Sequence, residues 1–175
     1  MTAVVAWVAG LAGHAAGDYL VQSGPDAIRK QDHHLPVDPD DPRHQADDRD
    51  PETRRRHGLV ALARHAVTYG LTEAAFRSVT YRLVGIRVPW RAQLAALLLE
   101  TGLHAVIDDG RLVRWIASLS DSEGFLDLDK YGVRAGRIFF DQATHTAAQI
   151  PVGALLTAHL THQASTGRDP ADGLR

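Results

Sequence analysis

Apolar residues recur at helical spacing in four long stretches of the chain, and polar or proline-rich segments separate these stretches. Such a period, sustained over more than three turns, predicts helices rather than strands. We place the four helices at about 2–22, 59–84, 89–119 and 137–162. The pattern therefore predicts an all-α fold: one domain over residues 1–163 that is built like a four-helix bundle.

The segments between these helices differ in composition. Ser23-Gly24-Pro25 should end the first helix, and one further turn at 26–30 would bring Lys30 back to the open end of the bundle. Residues 31–57 mix prolines with Asp, Arg and His, and they hold too few apolar residues to fold alone. We interpret them as a mobile charged loop with solvated histidines, namely His33, His34, His44 and His57.

Smaller irregularities are expected within and after the helices. Asp109-Gly110 should disturb the third helix, and Pro151 should kink the fourth because proline lacks an amide proton. The tail at 164–175 should be disordered. A polar connector at 120–136 should hold apolar anchors on the bundle: Phe125, Leu126, Leu128 and Tyr131.

Ionisable residues interrupt the apolar face of the third helix. Glu100, His104 and Asp108 are four residues apart and therefore share one face, which Leu97 and Trp115 continue as apolar positions. An unpaired carboxylate is costly to bury, so this face needs a cation, a strong partner or water.

The other three helices carry similar residues on their apolar faces. Imidazole and carboxylate ligands suit Zn, Mn, Fe or Ni, and facing helices of bundles can hold di-metal centres. The sequence therefore predicts a site for one or two divalent ions, whose identity it does not distinguish. The seven candidate ligands are His14, Asp18, His65, His104, Asp108, Asp141 and His145.

Further polar residues near these positions are candidates for catalysis or substrate binding. Glu100 extends the column of the third helix and is the candidate catalytic residue. The candidates for binding an anionic substrate are Gln22, Lys30, Arg111 and Gln142.

The composition excludes several classes of protein. The 175 residues include no cysteine, which excludes disulfides and thiolate ligands. A formal net charge of −2 gives no reason to expect general nucleic-acid binding. The first apolar stretch lacks a basic start and contains His14 and Asp18, unlike a signal peptide. We expect a cytoplasmic protein that could also associate peripherally with a membrane, and the oligomeric state stays open.

Each predicted helix carries one short motif: HAAGDYLVQ at 14–22, LARHAVTY at 62–69, HAVID at 104–108 and FFDQATH at 139–145. These motifs resemble those of a small, largely uncharacterised helical family of bacteria and their phages, whose members are often described as membrane proteins. The resemblance supports the choice of site residues and implies no particular reaction. The His/Asp pairs are also loosely similar to the ligands of helical zinc-dependent phosphoesterases, which implies metal-assisted cleavage of a phosphoester.

These observations favour a metal-dependent hydrolase that acts on a small anionic phosphoester, such as a nucleotide or a lipid head group. A bound ion would lower the pKa of water, and Asp108, Asp141 or Glu100 would act as general base. Two alternatives stay open. One is a non-catalytic helical module whose buried His/Asp network fixes the packing or senses pH. The other is a membrane-associated partner protein whose Ala- and Gly-rich helices pack within or against a bilayer.

Overall fold

The computed structural model describes residues 1–34, 50–128 and 135–167, and the regular structure in these ranges is entirely helical. The all-α prediction is thereby confirmed. Single π-helical turns, at Gly17–Val21 and His145–Gln149, extend α1 and precede α8. The helices are α1 (Thr2–Ala16), α2 (Gly24–Arg29), α3 (Pro51–Val84), α4 (Trp90–Asp108), α5 (Arg111–Leu119), α6 (Glu123–Leu126), α7 (Ala135–Thr144) and α8 (Ile150–Thr166).

The helices α1, α3, α4 and α8 form a four-helix bundle. Helix α1 packs on α3 and α8, and α4 packs on the same two helices, so the four make a closed ring. We call the end where α1 and α4 finish the mouth and the opposite end the far end. The short helices α2, α5, α6 and α7 pack around the mouth.

Helix α3 begins earlier than the sequence pattern predicts. Asp50 accepts a hydrogen bond from the Thr53 amide at 2.8 Å, and Pro51 occupies the first turn. An Asp cap followed by proline is a strong helix start. The prediction that the loop extends to residue 57 is therefore wrong, and His57 lies on α3. Residues 35–49, including His44, lie outside the described part of the chain.

The predicted third helix is two helices. Gly110 adopts a left-handed conformation with φ of 84° and separates α4 from α5, at the position where an irregularity was expected. Trp115 consequently lies on α5 with 59% of its surface exposed. Its predicted place on the column of His104 and Asp108 is therefore wrong.

The fourth predicted helix is divided by the π-helical turn at His145–Gln149. Ile150 and Pro151 follow this turn directly. Proline cannot donate a backbone hydrogen bond to the preceding turn, and the wider π-helical turn accommodates the missing bond. Helix α8 then continues to Thr166, further than predicted, and residues 168–175 lie outside the description.

One of the predicted connector anchors is buried. Leu126 packs with Ile107, Val113 and Ala117 at the mouth. Phe125 and Leu128 are about half exposed, which contradicts their predicted role, because the short helix α6 turns them towards solvent. Tyr131 lies outside the described residues.

At the far end, Ala6, Tyr81 and Ala154 form a second apolar cluster with Val5 and Val88 packed against it. Between the mouth and far-end clusters, the interior is filled mainly by small and polar side chains.

Candidate metal centre

Four-residue spacing positions the polar side chains inside the bundle. Four residues of an α-helix turn through about 400°, so such a column drifts by about 40° at each step. A π-helical turn holds more residues and therefore offsets this drift. The two π-helical turns lie where His14 is followed by Asp18 and where His145 is followed by Gln149. They keep these four side chains directed towards one interior volume.

Two histidines and two aspartates form the middle of the site. The Nε2 atoms of His65 and His104 lie 2.9 Å apart. Asp108 Oδ2 is 2.8 Å from His65 Nε2 and 3.1 Å from His104 Nε2. On the other side, Asp18 Oδ1 lies 3.3 Å from His104 Nε2 and 3.4 Å from His65 Nε2. Side chains from the π-helical turn after α1, from α3 and from α4 thus meet at contact distances of 2.8 to 3.4 Å.

His14 joins the centre through Gln142 on α7. Gln142 Oε1 lies 2.9 Å from His14 Nε2, and its amide nitrogen donates to Asp18 Oδ2 at 2.9 Å. Asp18 Oδ2 is also 3.5 Å from His14 Nε2. Gln142 therefore orients two candidate ligands.

His145 and Asp141 lie on the side towards the mouth. His145 Nε2 is 3.4 Å from Asp108 Oδ1 and 3.7 Å from Asp141 Oδ2. The structure therefore brings together all seven side chains that the sequence selects as ligands, through overlapping contacts.

Outer contacts fix the histidine rings. Tyr69 stacks on His104 with ring centroids 3.6 Å apart. His145 Nδ1 contacts Gln149 Oε1, and Gln149 donates to the Tyr69 hydroxyl at 2.7 Å. Such outer partners set the tautomer and orientation of metal-binding histidines. Tyr69 and Gln149 were not among the sequence-predicted site residues, although each follows a candidate histidine by four positions.

Lys30 reaches the site from the residue that follows α2. Its Nζ donates to Asp108 Oδ1 at 2.7 Å. Burial alone would lower the pKa of this ammonium group, but Asp108 and Asp141 outweigh burial and hold the pKa above its ordinary value. Burial, together with the Asp108 charge, raises the pKa of Asp141 to about 6. The mouth of the site thus contains the protonated ammonium group of Lys30 and the carboxyl group of Asp141, whose pKa is about 6.

The charges of the site leave room for a divalent cation. Asp18, Asp108 and Asp141 supply three carboxylates against the single ammonium of Lys30. Each carboxylate has one buried oxygen outside the hydrogen-bond geometry of the described residues, namely Asp18 Oδ1, Asp108 Oδ2 and Asp141 Oδ1. The first two of these oxygens have only the close contacts with the His65 and His104 nitrogens given above. One divalent ion would balance the two remaining negative charges and bind such oxygens.

The spacing of the donor atoms also fits a metal. For Zn–N bonds of about 2.0–2.1 Å, tetrahedral geometry separates two ligand atoms by about 3.3 Å. The contacts among Asp18, His65 and His104 span 2.9 to 3.4 Å. Two further groups of three ligand atoms, His14–His104–His145 and Asp108–Asp141–His145, each lie within 4.8 Å of one another. The residues therefore fit one ion closely and a second ion with small rearrangements.

Glu100 lies in a different contact network from the seven ligands. Its Oε1 accepts from Arg77 Nη2 at 2.6 Å, and Arg77 Nε donates to Glu73 Oε1 at 2.7 Å. We call Glu73, Arg77 and Glu100 the ion-pair layer. The contacts of Glu100 make it part of the bundle interior and give no support to its predicted catalytic role. Glu73 and Arg77 were missed, although they continue the column of His65 and Tyr69 at four-residue spacing.

Two of the predicted substrate-binding residues do not contact the seven candidate ligands. Arg111 binds its neighbour Asp109 through Nε at 2.6 Å and is largely exposed. Gln22 is half-buried, and its Nε2 donates to no described acceptor. Lys30 and Gln142, by contrast, touch the candidate ligands directly.

His33 and His34 are not solvated as predicted. His33 Nε2 lies 2.8 Å from Asp109 Oδ2, and His34 Nε2 lies 2.5 Å from the Asp109 carbonyl. Partial burial would raise the pKa of Asp109, but hydrogen bonds from Arg111 and His33 lower it to about 2. These contacts dock the segment after α2 onto the end of α4. No sequence pattern predicts this docking because the partners are far apart in the chain.

Comparison with known proteins adds no identity. No protein-family model, curated protein or solved structure matches this chain. The function is therefore inferred from the geometry of the site.

Proposed function

We propose that this protein is a metal-dependent hydrolase that cleaves a small anionic phosphoester. The observation that carries the proposal is the convergence of four histidines and three aspartates from separate elements on one buried volume, with carboxylate oxygens outside the hydrogen-bond geometry of the described residues. Buried carboxylates require a cation or equivalent partners. The charge of Lys30 compensates for only one of the three.

The candidate ligands divide into a central group and a group at the mouth. Asp18, His65, His104 and Asp108 form the central group, where a zinc ion or a similar divalent ion fits. When bound, the ion would supply Lewis-acid activation of water and stabilise charge on the phosphoryl oxygens. His14 and His145, whose ring centroids lie 4.8 Å apart, extend the set of nitrogen ligands beside His104.

Asp141 is the best-placed general base. Its pKa near 6 leaves it mostly ionised at neutral pH and able to accept a proton from water. In the hydrolysis, the water oxygen forms a bond to phosphorus and the bond to the leaving oxygen breaks. One water proton goes to Asp141, and Asp141 then passes a proton to the leaving oxygen. This assignment replaces Glu100 as the preferred base.

Lys30 is the best-placed group for the substrate phosphate. Its ammonium is held at the mouth between Asp108 and Asp141. If Asp108 helped to hold a divalent ion, the Lys30 ammonium would be available to bind an anionic oxygen of the substrate. Gln142 would hold His14 and Asp18 in place throughout.

The first experiment is elemental analysis of the purified protein beside a His104→Ala/Asp141→Ala double variant. We expect about one or two divalent ions per wild-type chain and at least a tenfold loss in the variant. His159→Ala is the matched control, since His159 is exposed on α8 and belongs to none of the described ligand groups. Circular dichroism of all three proteins would show whether the helices are intact.

Activity is tested with p-nitrophenyl phosphate and bis(p-nitrophenyl) phosphate in the presence of Zn²⁺ or Mn²⁺. Turnover that depends on metal and disappears in the double variant would support a hydrolase. Metal binding without turnover of either ester would leave a metal site and contradict the phosphoester hydrolysis. A wild type that cannot be loaded with any of Zn²⁺, Mn²⁺, Fe²⁺ or Ni²⁺ would overturn the proposal in favour of a non-catalytic His/Asp network.

A further inference from the structure

The outer surface of the bundle is largely apolar around its circumference, and the exposed His159 and His162 lie towards the far end of α8. Each of the four long helices exposes large aliphatic side chains. Examples, each more than 60% exposed, are Val4 on α1, Leu71 on α3, Leu98 on α4 and Leu155 on α8. An isolated exposed leucine is ordinary in a soluble protein, whereas a continuous apolar surface marks a contact with a partner or a membrane.

Charged side chains are absent from this surface over a defined length of each helix. We call the segments Thr2–Val21, 65–81, 92–107 and 146–163 the apolar belt. Within these described segments, every Asp, Glu, Lys and Arg side chain is buried: Asp18, Glu73, Arg77 and Glu100. This distribution inverts that of a soluble protein, in which such side chains are mostly exposed.

The height of the belt matches the hydrocarbon region of a bilayer. At about 1.5 Å per residue, the four segments are about 24 to 30 Å long, and the hydrocarbon region is about 30 Å thick. By length and composition alone, Thr2–Val21 is the one helix in the described chain that qualifies as a membrane span, and less than half of it is buried. The polar interior lowers the average hydropathy of the other three helices, although their outer faces are apolar.

Basic and aromatic side chains flank the belt at both ends. At the far end, Trp90 is 67% exposed, and three exposed arginines are close to it in the chain: Arg82 at the end of α3, Arg87 on the link and Arg91 at the start of α4. At the mouth, Arg64, Arg111, Arg114 and the exposed ring of Trp115 occupy the corresponding positions. Arginine and tryptophan at two levels, separated by an uncharged zone, are typical of the two interfaces of a membrane protein.

We infer that the apolar belt is embedded in a lipid bilayer, with the mouth of the His/Asp centre at one membrane surface. A lipid environment fits better than a protein partner because the belt surrounds all four helices, whereas a docked partner would cover one face. Ionisable groups inside membrane segments face the bundle interior and pair with one another. The ion-pair layer and the His/Asp centre have this arrangement. The inference replaces the cytoplasmic location expected from the sequence and develops the bilayer alternative that the sequence left open, and it holds whether or not the centre is catalytic.

The wild-type protein gives the first test. After expression, membranes are washed with sodium carbonate at pH 11 and floated on a density gradient. We expect the full-length chain to remain with the floating membranes and to require detergent for extraction. Recovery in the supernatant as a monodisperse monomer without detergent would overturn the inference.

A matched pair of variants on one helix tests the belt itself. Leu71→Glu places a charge inside the belt, and Leu59→Glu places the same charge on an exposed leucine of α3 between Arg55 and Arg64, outside it. We expect Leu71→Glu to reduce the carbonate-resistant fraction about tenfold and Leu59→Glu to leave it within twofold, because a carboxylate is costly within hydrocarbon. Equal behaviour of the two variants would contradict a lipid-facing belt.

A second copy of the chain is the competing occupant of the apolar surface. Light scattering without detergent would then show a soluble oligomer that Leu71→Glu converts to monomers. That result would overturn the bilayer assignment. Stoichiometric metal in a protein that fails the flotation test would leave the proposed hydrolase intact, so the two proposals fail separately.

Discussion

The bundle contains two buried polar layers that compensate their charges differently. In the ion-pair layer, two carboxylates flank Arg77, a cation that belongs to one of the bundle helices. In the His/Asp centre, three carboxylates face four imidazoles, and among the described residues the ammonium comes from Lys30, at the end of a short separate helix. The first layer has a permanent cation, whereas the second obtains one from a segment outside the bundle. The ion-pair layer therefore has its cation as part of the bundle, which fits a structural role. At the His/Asp centre, the proposed function requires that the Lys30 ammonium can be exchanged for a metal ion or a substrate.

The largest expected effect comes from removing the permanent cation. Arg77→Met leaves Glu73 and Glu100 buried without a charge partner, and we expect a loss of about 3–5 kcal/mol in the free energy of unfolding. The triple variant Arg77→Met/Glu73→Gln/Glu100→Gln should recover most of that loss because no unpaired charge remains. Denaturant unfolding, in detergent if extraction requires it, measures both. A single variant as stable as wild type would show that the layer is not structural.

The next effect concerns the close packing of the ion-pair layer. A Cβ at Gly153 would overlap Glu100 Oε1, whereas a Cβ at Gly102 on α4 would meet no neighbouring atom within 4 Å in the described structure. We expect Gly153→Ala to cost about 1–3 kcal/mol. Gly102→Ala, the control, should be neutral or stabilising by up to about 1 kcal/mol. Equal melting temperatures for the two variants would refute the packing argument.

Chelation should distinguish the two layers directly. Ligand that binds only the folded state stabilises it, so EDTA should lower the melting temperature of the metal-loaded wild type by several degrees. It should not change that of the His104→Ala/Asp141→Ala variant. Arg77→Met should keep the chelator-dependent shift if enough folded protein remains, since its layer binds no ion. Calorimetry with and without chelator provides the measurement.

Lys30 provides a finer test of exchange. Lys30→Met removes the ammonium from Asp108, and the more negative site should bind Zn²⁺ several-fold more tightly. The same change should lower kcat/KM for phosphoesters, because the substrate phosphate loses its cation. Arg29→Met is the neighbouring control, since Arg29 contacts His57 instead of the centre. Unchanged zinc affinity in Lys30→Met would indicate that the ammonium does not compete with the metal.

The smallest effect is expected at the contact between Asp109 and the segment after α2. The folded state holds the pKa of Asp109 at about 2, below the usual 3.9 of an unfolded chain. Its carboxylate therefore contributes stability above about pH 4, and this contribution is lost as the pH falls to about 2. Asp109→Asn should lower the melting temperature at pH 7 by about 2 °C or less. The difference from wild type should vanish near pH 2.

Local patterns in the sequence predict much of the centre. His14 with Asp18, His104 with Asp108, and Asp141 with His145 are readable because each pair shares a helix face at four-residue spacing. The same rule, extended along α3 from His65, reaches Glu73 and Arg77. The four-residue spacing alone does not mark Glu73 and Arg77 as buried, because a Glu/Arg pair on a helix is usually a surface pair.

The errors have two physical origins. The start of α3 at Pro51 depends on the capping contact of Asp50, which the surrounding prolines and charges obscure. The docking of His33 and His34 on Asp109 joins residues about 75 positions apart, and no periodic pattern encodes such a contact. The outward face of the bundle was equally hard to predict, since average hydropathy mixes the buried polar side with the exposed apolar side of each helix.

The apolar cluster of Ala6, Tyr81 and Ala154 limits what the polar interior can do. These apolar side chains lie at the far end, whereas the partly exposed members of the polar line, Lys30 and Asp141 with 13% of each side chain accessible, lie at the mouth. A channel or a transporter needs access from both sides. Under the proposed function, a substrate would enter and a product would leave through the same mouth, and the chemistry would be confined to one side of whatever surrounds the bundle.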